Sequence, residues 1–263
     1  MRDWLALPVG WLAVLIFAAT YLFTAGVYLV VTRLAVNDRM KTFKSISPGM
    51  LPPLAIVFAL LVGFLAAQVW SDGQQANAAV NREASALRAV VLLAAGFPGE
   101  PERRLRDLVG SHIREAATNE WPAMASGNAN LRLAPAALAE ALRLALTLTP
   151  QTPGQMAAQR EIIASLENAL DARRQRIILS HSSINWVKWD ALLIQAGLML
   201  IAIAMVHCDN RGANRLILTI FATGVAAAVV LIAAHSRPFA GEISVKPAVL
   251  LQVMPEAGAK AGP

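Results

Sequence analysis

The chain has 263 residues, of which 56% are hydrophobic and 15% are charged, and its formal net charge is +6. An average soluble domain is about 25% charged, so this composition argues against an ordinary soluble enzyme. The single cysteine, Cys208, excludes an intrachain disulfide bond.

Four stretches of the chain contain no Asp, Glu, Lys or Arg. They are 29, 27, 18 and 21 residues long and cover residues 4–32, 45–71, 191–208 and 216–236. A bilayer core about 30 Å thick needs about 20 apolar residues of helix, and a charge at its centre costs roughly 2.5–3.5 kcal/mol. Buried core helices of a soluble protein are the alternative, but the chain has too little polar surface to cover four of them. The sequence therefore predicts an all-α membrane protein with four transmembrane helices.

The first two uncharged stretches predict a transmembrane hairpin over residues 1–70. Its helices are expected at about 8–31 and 51–70, with a short basic loop between them. Pro8 suits the first turn of a helix, where its missing N–H is no loss, and Trp70 suits an interface. The apolar run of the first helix is far longer than the roughly 7–15 residues of a signal peptide, so we expect it to be a retained membrane helix.

Residues 71–188 differ in character and carry 24 of the 40 charged residues. They predict a helical soluble domain inserted between the second and third membrane helices. Its first helix can continue directly out of the second membrane helix. The next is expected from Glu102 to Ala117, and Glu120-Trp121-Pro122 is expected to end it, because a residue before proline avoids the α region.

The helix expected from Gln155 to Leu179 is the clearest of this domain. Its apolar residues recur at intervals of 7, 3, 4 and 7, which is a heptad-like pattern. We expect this stripe to pack along a partner in the same chain or in another. Its members are Met156, Ile163, Leu166, Leu170 and Ile177.

Residues 189–236 predict a second transmembrane hairpin, with helices at about 190–207 and 215–235, and a tail follows over 237–263. Four crossings would place both termini and the soluble domain on one side of a plasma (inner) membrane, as a multi-pass protein. The side is left open. The first short loop has four basic residues against one acid, which favours the inside, but basic residues also flank the membrane on the domain side.

Candidate chemistry is sparse. His207-Cys208-Asp209 is the only cluster of metal-ligating residue types, and its adjacent side chains point in different directions, so no metal or cofactor is expected. Ser180 and His181 occur without a nucleophile elbow or a phosphate loop, so no catalytic residue and no enzyme is predicted. Nothing interleaves aromatic and basic residues as a nucleic-acid surface would. The spans lack deep ionisable residues, which argues against a proton-coupled pump and is compatible with a channel or an anchor.

The basic segment Arg173-Arg174-Gln175-Arg176 lies near the end of the long helix that precedes the third membrane helix. Two interpretations are open. The side chains could contact lipid headgroups or complement the dipole of the helix. Alternatively, they could form an anion-attracting vestibule at the mouth of a pore.

Several motifs together resemble one known family. Glu120-Trp121-Pro122 is followed by the segment with Arg173 and Arg176, and Arg237-Pro238-Phe239-Ala240-Gly241 follows the last span. On these motifs, nearly the whole chain resembles the bestrophin-like domain family of bacterial membrane proteins, a domain of unknown function. Ser236 departs from the acid that the family often places before Arg-Pro-Phe. The resemblance marks nine residues for a structural or interface role: Glu120, Trp121, Pro122, Arg173, Arg176, Arg237, Pro238, Phe239 and Gly241.

The resemblance implies a distant relation to bestrophins, which are pentameric anion channels with four membrane helices and a helical cytosolic region. It implies a homo-oligomeric ion channel in the lipid bilayer that passes chloride or another small anion. No bestrophin neck or selectivity motif is recognisable, so no pore residue is carried over. The alternative is a membrane-anchored signalling or scaffold protein whose helical domain binds a partner.

Overall fold

The computed structural model describes residues 8–36, 38–45, 48–131 and 135–255, and this part of the chain forms helices and turns without a strand. The prediction of an all-α fold with four long apolar helices is confirmed. Residues 1–7 of the predicted first hairpin and 256–263 of the predicted tail lie outside the described residues.

Ten α-helices follow one another in the described ranges. A 3-10 turn (Pro48–Met50) precedes the third helix, and a π-helical turn (Ala116–Glu120) joins the fourth to the fifth. The helices are α1 (Val9–Leu34), α2 (Asp38–Ser45), α3 (Leu51–Ala94), α4 (Glu100–Glu115), α5 (Trp121–Ser126), α6 (Ala136–Thr147), α7 (Pro153–Ser180), α8 (Trp186–Val206), α9 (Arg211–His235) and α10 (Ala248–Gln252).

The described residues fall into two compact units. The first, here called the apolar unit, draws them from Met1–Ser71, Ser183–Arg237 and Gly241–Ile243. The second, here called the charged unit, draws them from Asp72–Ser182, Pro238–Ala240 and Ser244–Pro263. Helix α3 contributes residues to both.

Four helices are long and apolar enough to cross a membrane. They are α1, α3, α8 and α9, and their most apolar windows have mean hydropathies of 2.2, 2.2, 2.0 and 2.6. Within the apolar unit, Leu12 and Ile16 of α1 share a buried cluster with Val225 and Val229 of α9 and with Leu192 of α8. Apolar side chains therefore hold this unit together.

Two polar contacts between helices of the apolar unit use neutral side chains and backbone carbonyls. The Gln195 side-chain amide of α8 donates to the Leu54 carbonyl of α3 at 3.1 Å. The Asn214 amide donates to the Ala204 carbonyl at 3.2 Å and so links α9 to α8. These bonds satisfy donors without placing a charge among the apolar helices.

Helix α3 is one helix of 44 residues. The predicted helix over 51–70 and the first helix of the charged segment are therefore continuous, as the sequence allowed. Polar residues beyond Trp70 do not interrupt it because their side chains are compatible with a helix. Asn77, for example, donates to the Gly73 carbonyl one turn earlier, at 3.1 Å.

The expectation that Glu120-Trp121-Pro122 ends a helix is wrong. The π-helical turn carries the chain from α4 into α5, and Pro122 occupies the first turn of α5. A proline is compatible with this position because its fixed φ suits the first turn of a helix, while the N–H of Trp121 before it donates to the Ala116 carbonyl. The helical path ends instead at Gly127, whose φ of 74° is left-handed, a conformation that favours glycine.

The apolar stripe expected on α7 is only partly buried. Leu166 and Ile177 are buried, but 46% of Met156 is exposed. The buried face is rotated from the predicted stripe, and it includes two arginines. Its chief members are Ile162, Leu166, Ala169, Arg173, Arg176 and Ile177. A pattern of apolar residues misses this face because arginine counts as a surface residue.

Candidate functional site

The structure brings together several of the motif residues inside the charged unit. Arg173 and Arg176 lie on the buried face of α7, Glu120 and Trp121 lie at the junction of the π turn and α5, and Phe239 comes from the segment after α9. The π turn carries one extra residue per turn, and it sets Glu120 and Trp121 at the end of α4.

Arg176 is the centre of this cluster, and its side chain is fully buried. Its Nε donates to Glu83 Oε2 at 2.8 Å, and its Nη2 donates to Glu83 Oε1 at 3.1 Å. The same Nη2 donates to Glu120 Oε2 at 2.8 Å. A guanidinium that is planar and always charged suits such a bidentate arrangement.

Two further groups complete the ion pairs. Arg173 Nε donates to Glu120 Oε1 at 2.7 Å, so Glu120 bridges two arginines. His112 of α4, 2% exposed, places its Nε2 2.9 Å from Glu83 Oε1. Because an ionised carboxylate only accepts hydrogen bonds, His112 donates from Nε2.

An aromatic ring, that of Trp121, lies against the guanidinium group of Arg176. Its guanidinium carbon lies 4.4 Å from the centre of the Trp121 ring, within the range of a cation–π interaction. Phe239 meets the Trp121 ring edge-on, with ring centroids 6.0 Å apart, and Trp121 Nε1 donates to the Val245 carbonyl at 3.0 Å. The segment after α9 is thereby bound to the ion cluster through Trp121.

The electrostatics keep both carboxylates ionised. Burial alone raises the pKa of Glu83, but the Arg176 charge and the hydrogen bonds from His112 and Arg176 outweigh it and lower that pKa below its ordinary value. Burial likewise raises the pKa of Glu120, and Arg176 and Arg173 together lower it. Burial lowers the pKa of Arg176, whereas Glu83 and Glu120 raise it on balance. The cluster is therefore an internally neutral set of two acids and two arginines beside an imidazole.

A cavity of about 400 Å³ adjoins the cluster in the charged unit. His112, Glu120 and Arg173 contribute to its wall, as do the polar side chains of Asn119 and Asn128. Among the described residues, no group of three or more His, Cys, Asp or Glu side chains is placed to hold a metal ion. Since the guanidinium groups bind carboxylates, the geometry serves to bridge α3, α4, the π turn and α7.

Contact with lipid headgroups and a vestibule at a pore mouth are both excluded for Arg173 and Arg176. Only 6% of Arg173 and none of Arg176 is exposed, and both are paired with carboxylates. Neither side chain is therefore available to lipid headgroups or to an ion in a pore. Arg174, between them, is exposed.

Four motif residues stand apart from the ion pairs. Pro122 is exposed in the first turn of α5, and Pro238 is buried, its carbonyl accepting the Val245 N–H at 2.8 Å. Arg237 and Gly241 fall in the apolar unit. Gly241 has a φ of 86°, a left-handed conformation that glycine adopts without steric cost.

Sequence reasoning missed His112 and Met124. His112 looked like an ordinary polar residue of α4, although it lies among Leu108, Val109 and Ile113, which are all buried. Met124 has its sulfur 3.6 Å from Arg176 Nη1. A signal for His112 existed, because its position on the apolar face of α4 requires a buried partner.

Comparisons with known proteins agree with this architecture. Three crystal structures share the fold at TM-scores of 0.67–0.69, with 11–12% sequence identity, and the matches cover 92% of this chain and 96–97% of the others. One is described as a membrane protein, and two are variants of a bacterial bestrophin homologue from Klebsiella pneumoniae. At this identity the likeness shows the fold. No curated protein matches the chain significantly.

The fold and the four long apolar helices define a helical integral membrane protein. A family model described as the bestrophin-like domain matches residues 18–250. The chain belongs to the bestrophin-like domain family, and the resemblance inferred from its motifs is confirmed.

Proposed function

We propose that this protein is a subunit of an oligomeric, anion-permeable channel in the plasma (inner) membrane, with α3 lining the pore. Membership of the bestrophin-like family and the fold shared with bacterial bestrophin homologues support a channel. In this proposal the four apolar helices each cross the bilayer, and the charged unit lies in water between the second and third crossings.

The observation that carries the proposal is the uncovered face of α3. Only 11% of its most apolar window is buried, against 17% in α1 and 39% in α8 and in α9. Ile56, Leu60, Gly63 and Ala67 are exposed on one side of this helix, at the spacing of neighbours on a helix surface. Such a seam is suited to a ring of protomers, where it would face a central axis with apolar and small side chains.

In the charged unit, which this proposal places in water, α3 continues with exposed polar side chains that would line the approach to the pore. Counting in sevens from Ala67 reaches Gln74, Asn81 and Arg88, all of which are exposed. Neutral polar side chains can replace part of the hydration of an ion, and an exposed arginine raises the local concentration of anions. In this proposal chloride is the simplest permeant ion.

The ion cluster has a structural role in this proposal. Glu120, Trp121, Arg173, Arg176 and Phe239 would hold the helices of the charged unit in fixed register, so that α3 keeps its orientation beyond the membrane. We assign no part in conduction to these side chains, because four of them are buried and the carboxylate of Glu120 is paired with Arg173 and Arg176. The other motif residues shape the turns around them.

The proposal is tested first by the oligomeric mass of the purified protein in nanodiscs, measured by native mass spectrometry. A closed ring of about five subunits supports it. A monomer or dimer contradicts it and favours the scaffold alternative, in which the charged unit binds a partner protein.

Single-cysteine scanning then tests the role of α3. The chain has one cysteine, the buried Cys208, so Cys208→Ala provides a cysteine-free background. Chloride flux into liposomes should fall on treatment with a charged thiol reagent when a cysteine replaces Leu60, Gly63 or Ala67. A cysteine at Leu198, 49% exposed on α8, is the matched control and should not respond. Equal responses at all four positions, or no chloride flux at all, would contradict a pore lined by α3.

A further inference from the structure

A groove of about 450 Å³ lies on the apolar unit between α1, α2 and α8. All nine residues that line it are apolar. Three of them, Phe23, Val30 and Leu34, expose 52%, 56% and 44% of their surfaces. Phe43 of α2 and Ile201 of α8 form its other walls. A wholly apolar groove that stays open on a membrane helix is suited to hydrocarbon.

The length of the groove matches one leaflet of a bilayer. From Phe23 to Leu34 the lining follows α1 over 12 residues, and the 11 steps between them span about 16 Å at the rise of an α-helix. Half of a hydrocarbon core is roughly 15 Å thick. Gly26 lies within this run, and a methyl group added there would meet no atom within 4 Å. The groove is therefore open where an extended acyl chain would pass.

Two arginines are close in the sequence to residues that line one end of the groove. Arg33 is adjacent to Leu34, and Arg39 precedes Phe43 by one turn of α2. Met40 and Phe43 pack against a buried cluster of the apolar unit, whereas Arg39 is exposed. Among the side chains that the structure describes, none forms an ion pair with Arg33 or Arg39. Short amphipathic helices with basic polar faces bind the interface of anionic membranes.

We propose that this groove is a binding site for an anionic phospholipid, with one acyl chain along α1 and the phosphate at Arg33 and Arg39. Both halves of the site point to one occupant. A neutral lipid would fill the apolar groove but leave the arginines without an anionic partner. A soluble anion would pair with the arginines but leave the groove empty. Basic residues beside membrane helices recognise anionic headgroups in this way.

The acyl part of the site is tested by filling the groove. Gly26→Leu adds a side chain within it, and Gly224→Leu is the matched control, because Gly224 is exposed on α9 and a methyl group there also meets nothing within 4 Å. The full-length protein is titrated with phosphatidylglycerol and retained lipid is counted by native mass spectrometry. Gly26→Leu should lose roughly tenfold in affinity, the effect of displacing about two methylenes, and Gly224→Leu should bind as the unsubstituted protein does.

The headgroup part is tested with Arg33→Gln and Arg39→Gln combined. The unsubstituted protein should prefer phosphatidylglycerol over phosphatidylcholine, and this variant should bind the two lipids alike while keeping its affinity for phosphatidylcholine. Equal losses in Gly26→Leu and Gly224→Leu, or no preference in the unsubstituted protein, would overturn the proposal. A changed oligomeric mass in Gly26→Leu alone would also overturn it, because the groove would then be covered by a second copy of the chain.

Discussion

The two units of this protein bury polar side chains in different ways. The charged unit buries Glu83, His112 and Arg176, all at most 2% exposed. Among the described residues of the apolar unit the buried polar side chains are neutral, with Asn214 and Thr24 as examples. The comparison shows that charge is buried here only where an opposite charge is held against it.

The physical reason is the cost of desolvation. Moving an ion out of water costs several kcal/mol even after relaxation, and only a well-placed partner offsets it. In the charged unit Arg176 has two carboxylates and Glu83 has an arginine and a histidine. In the apolar unit Thr24 needs only the Thr20 carbonyl one turn earlier, at 2.7 Å. A neutral group is thus satisfied by a backbone carbonyl, whereas a buried ion requires an opposite charge.

The largest test of this comparison removes one partner from the ion cluster. Glu83→Leu leaves the Arg176 charge with Glu120 alone and leaves His112 without its acceptor. Removing one member of a buried pair typically costs about 3–5 kcal/mol. We expect the free energy of opening of α4 and α7 to fall by that amount, measured by hydrogen exchange and mass spectrometry on the full-length protein.

Two controls separate the ion pair from a general packing defect. Glu140→Gln breaks an exposed pair with Arg104 in the same unit and should cost at most about 1 kcal/mol. Glu83→Leu combined with Arg176→Met removes both charges and should recover part of the loss, because apolar replacements of buried pairs are often neutral. If the double variant is as unstable as the two single losses added together, the charges are not coupled.

A smaller effect is expected from acid. The folded-state pKa values of Glu83 and Glu120 lie below the ordinary 4.5. Each carboxylate therefore contributes stability that is complete above about pH 4.5 and is lost as the pH falls through its folded-state pKa. We expect the melting temperature, followed by circular dichroism, to fall in that acid range.

Two variants, Glu83→Gln and His112→Asn, identify the groups that are responsible for the loss of stability in acid. Glu83→Gln cannot titrate at this position, so its melting temperature should depend less on pH below 4.5. His112 and Arg176 face the same carboxylate, and His112→Asn tests whether the imidazole contributes. If Glu83→Gln and the unsubstituted protein lose stability in parallel, carboxylates elsewhere govern acid unfolding.

The helices of the apolar unit were easier to predict from the sequence than the buried faces in the charged unit, as individual residues show. A lipid-facing helix needs an uncharged run, so α1 and α9 could be located to within a few residues from composition alone. The register of α7 was misjudged because Arg173 and Arg176 were counted as surface residues. Their burial depends on Glu83 and Glu120, which are 93 and 56 residues away from Arg176 in the sequence. The spacing of apolar residues along one helix cannot reveal ion pairs with such distant residues.

The turn at Glu120-Trp121-Pro122 was misjudged for a related reason. Proline usually ends a helix because it has no N–H to donate to the preceding turn. The π turn before Pro122 changes the hydrogen-bond pattern at this position, so the helical path continues. The family resemblance singled out these three residues without indicating their geometry. The contacts of Trp121 with Arg176 and Phe239 are tertiary, so the local sequence could not reveal them.

The smallest expected effect is that of replacing a buried neutral polar side chain in the apolar unit. Asn214 is fully buried, and within the described residues its Oδ1 has no hydrogen-bond partner, although its amide donates to the Ala204 carbonyl. Asn214→Leu removes one hydrogen bond, worth about 0.6 kcal/mol between membrane helices, and removes an unsatisfied acceptor, which offsets that loss. We expect the free energy of opening of α8 and α9, measured by hydrogen exchange, to change by less than about 1 kcal/mol.

The matched reference is Leu218→Ala, at a buried apolar position on the same helix, with an expected loss of about 2–5 kcal/mol. If Asn214→Leu costs as much as Leu218→Ala, then neutral polar contacts matter to the apolar unit as ion pairs do to the charged unit, and the contrast between the two units fails.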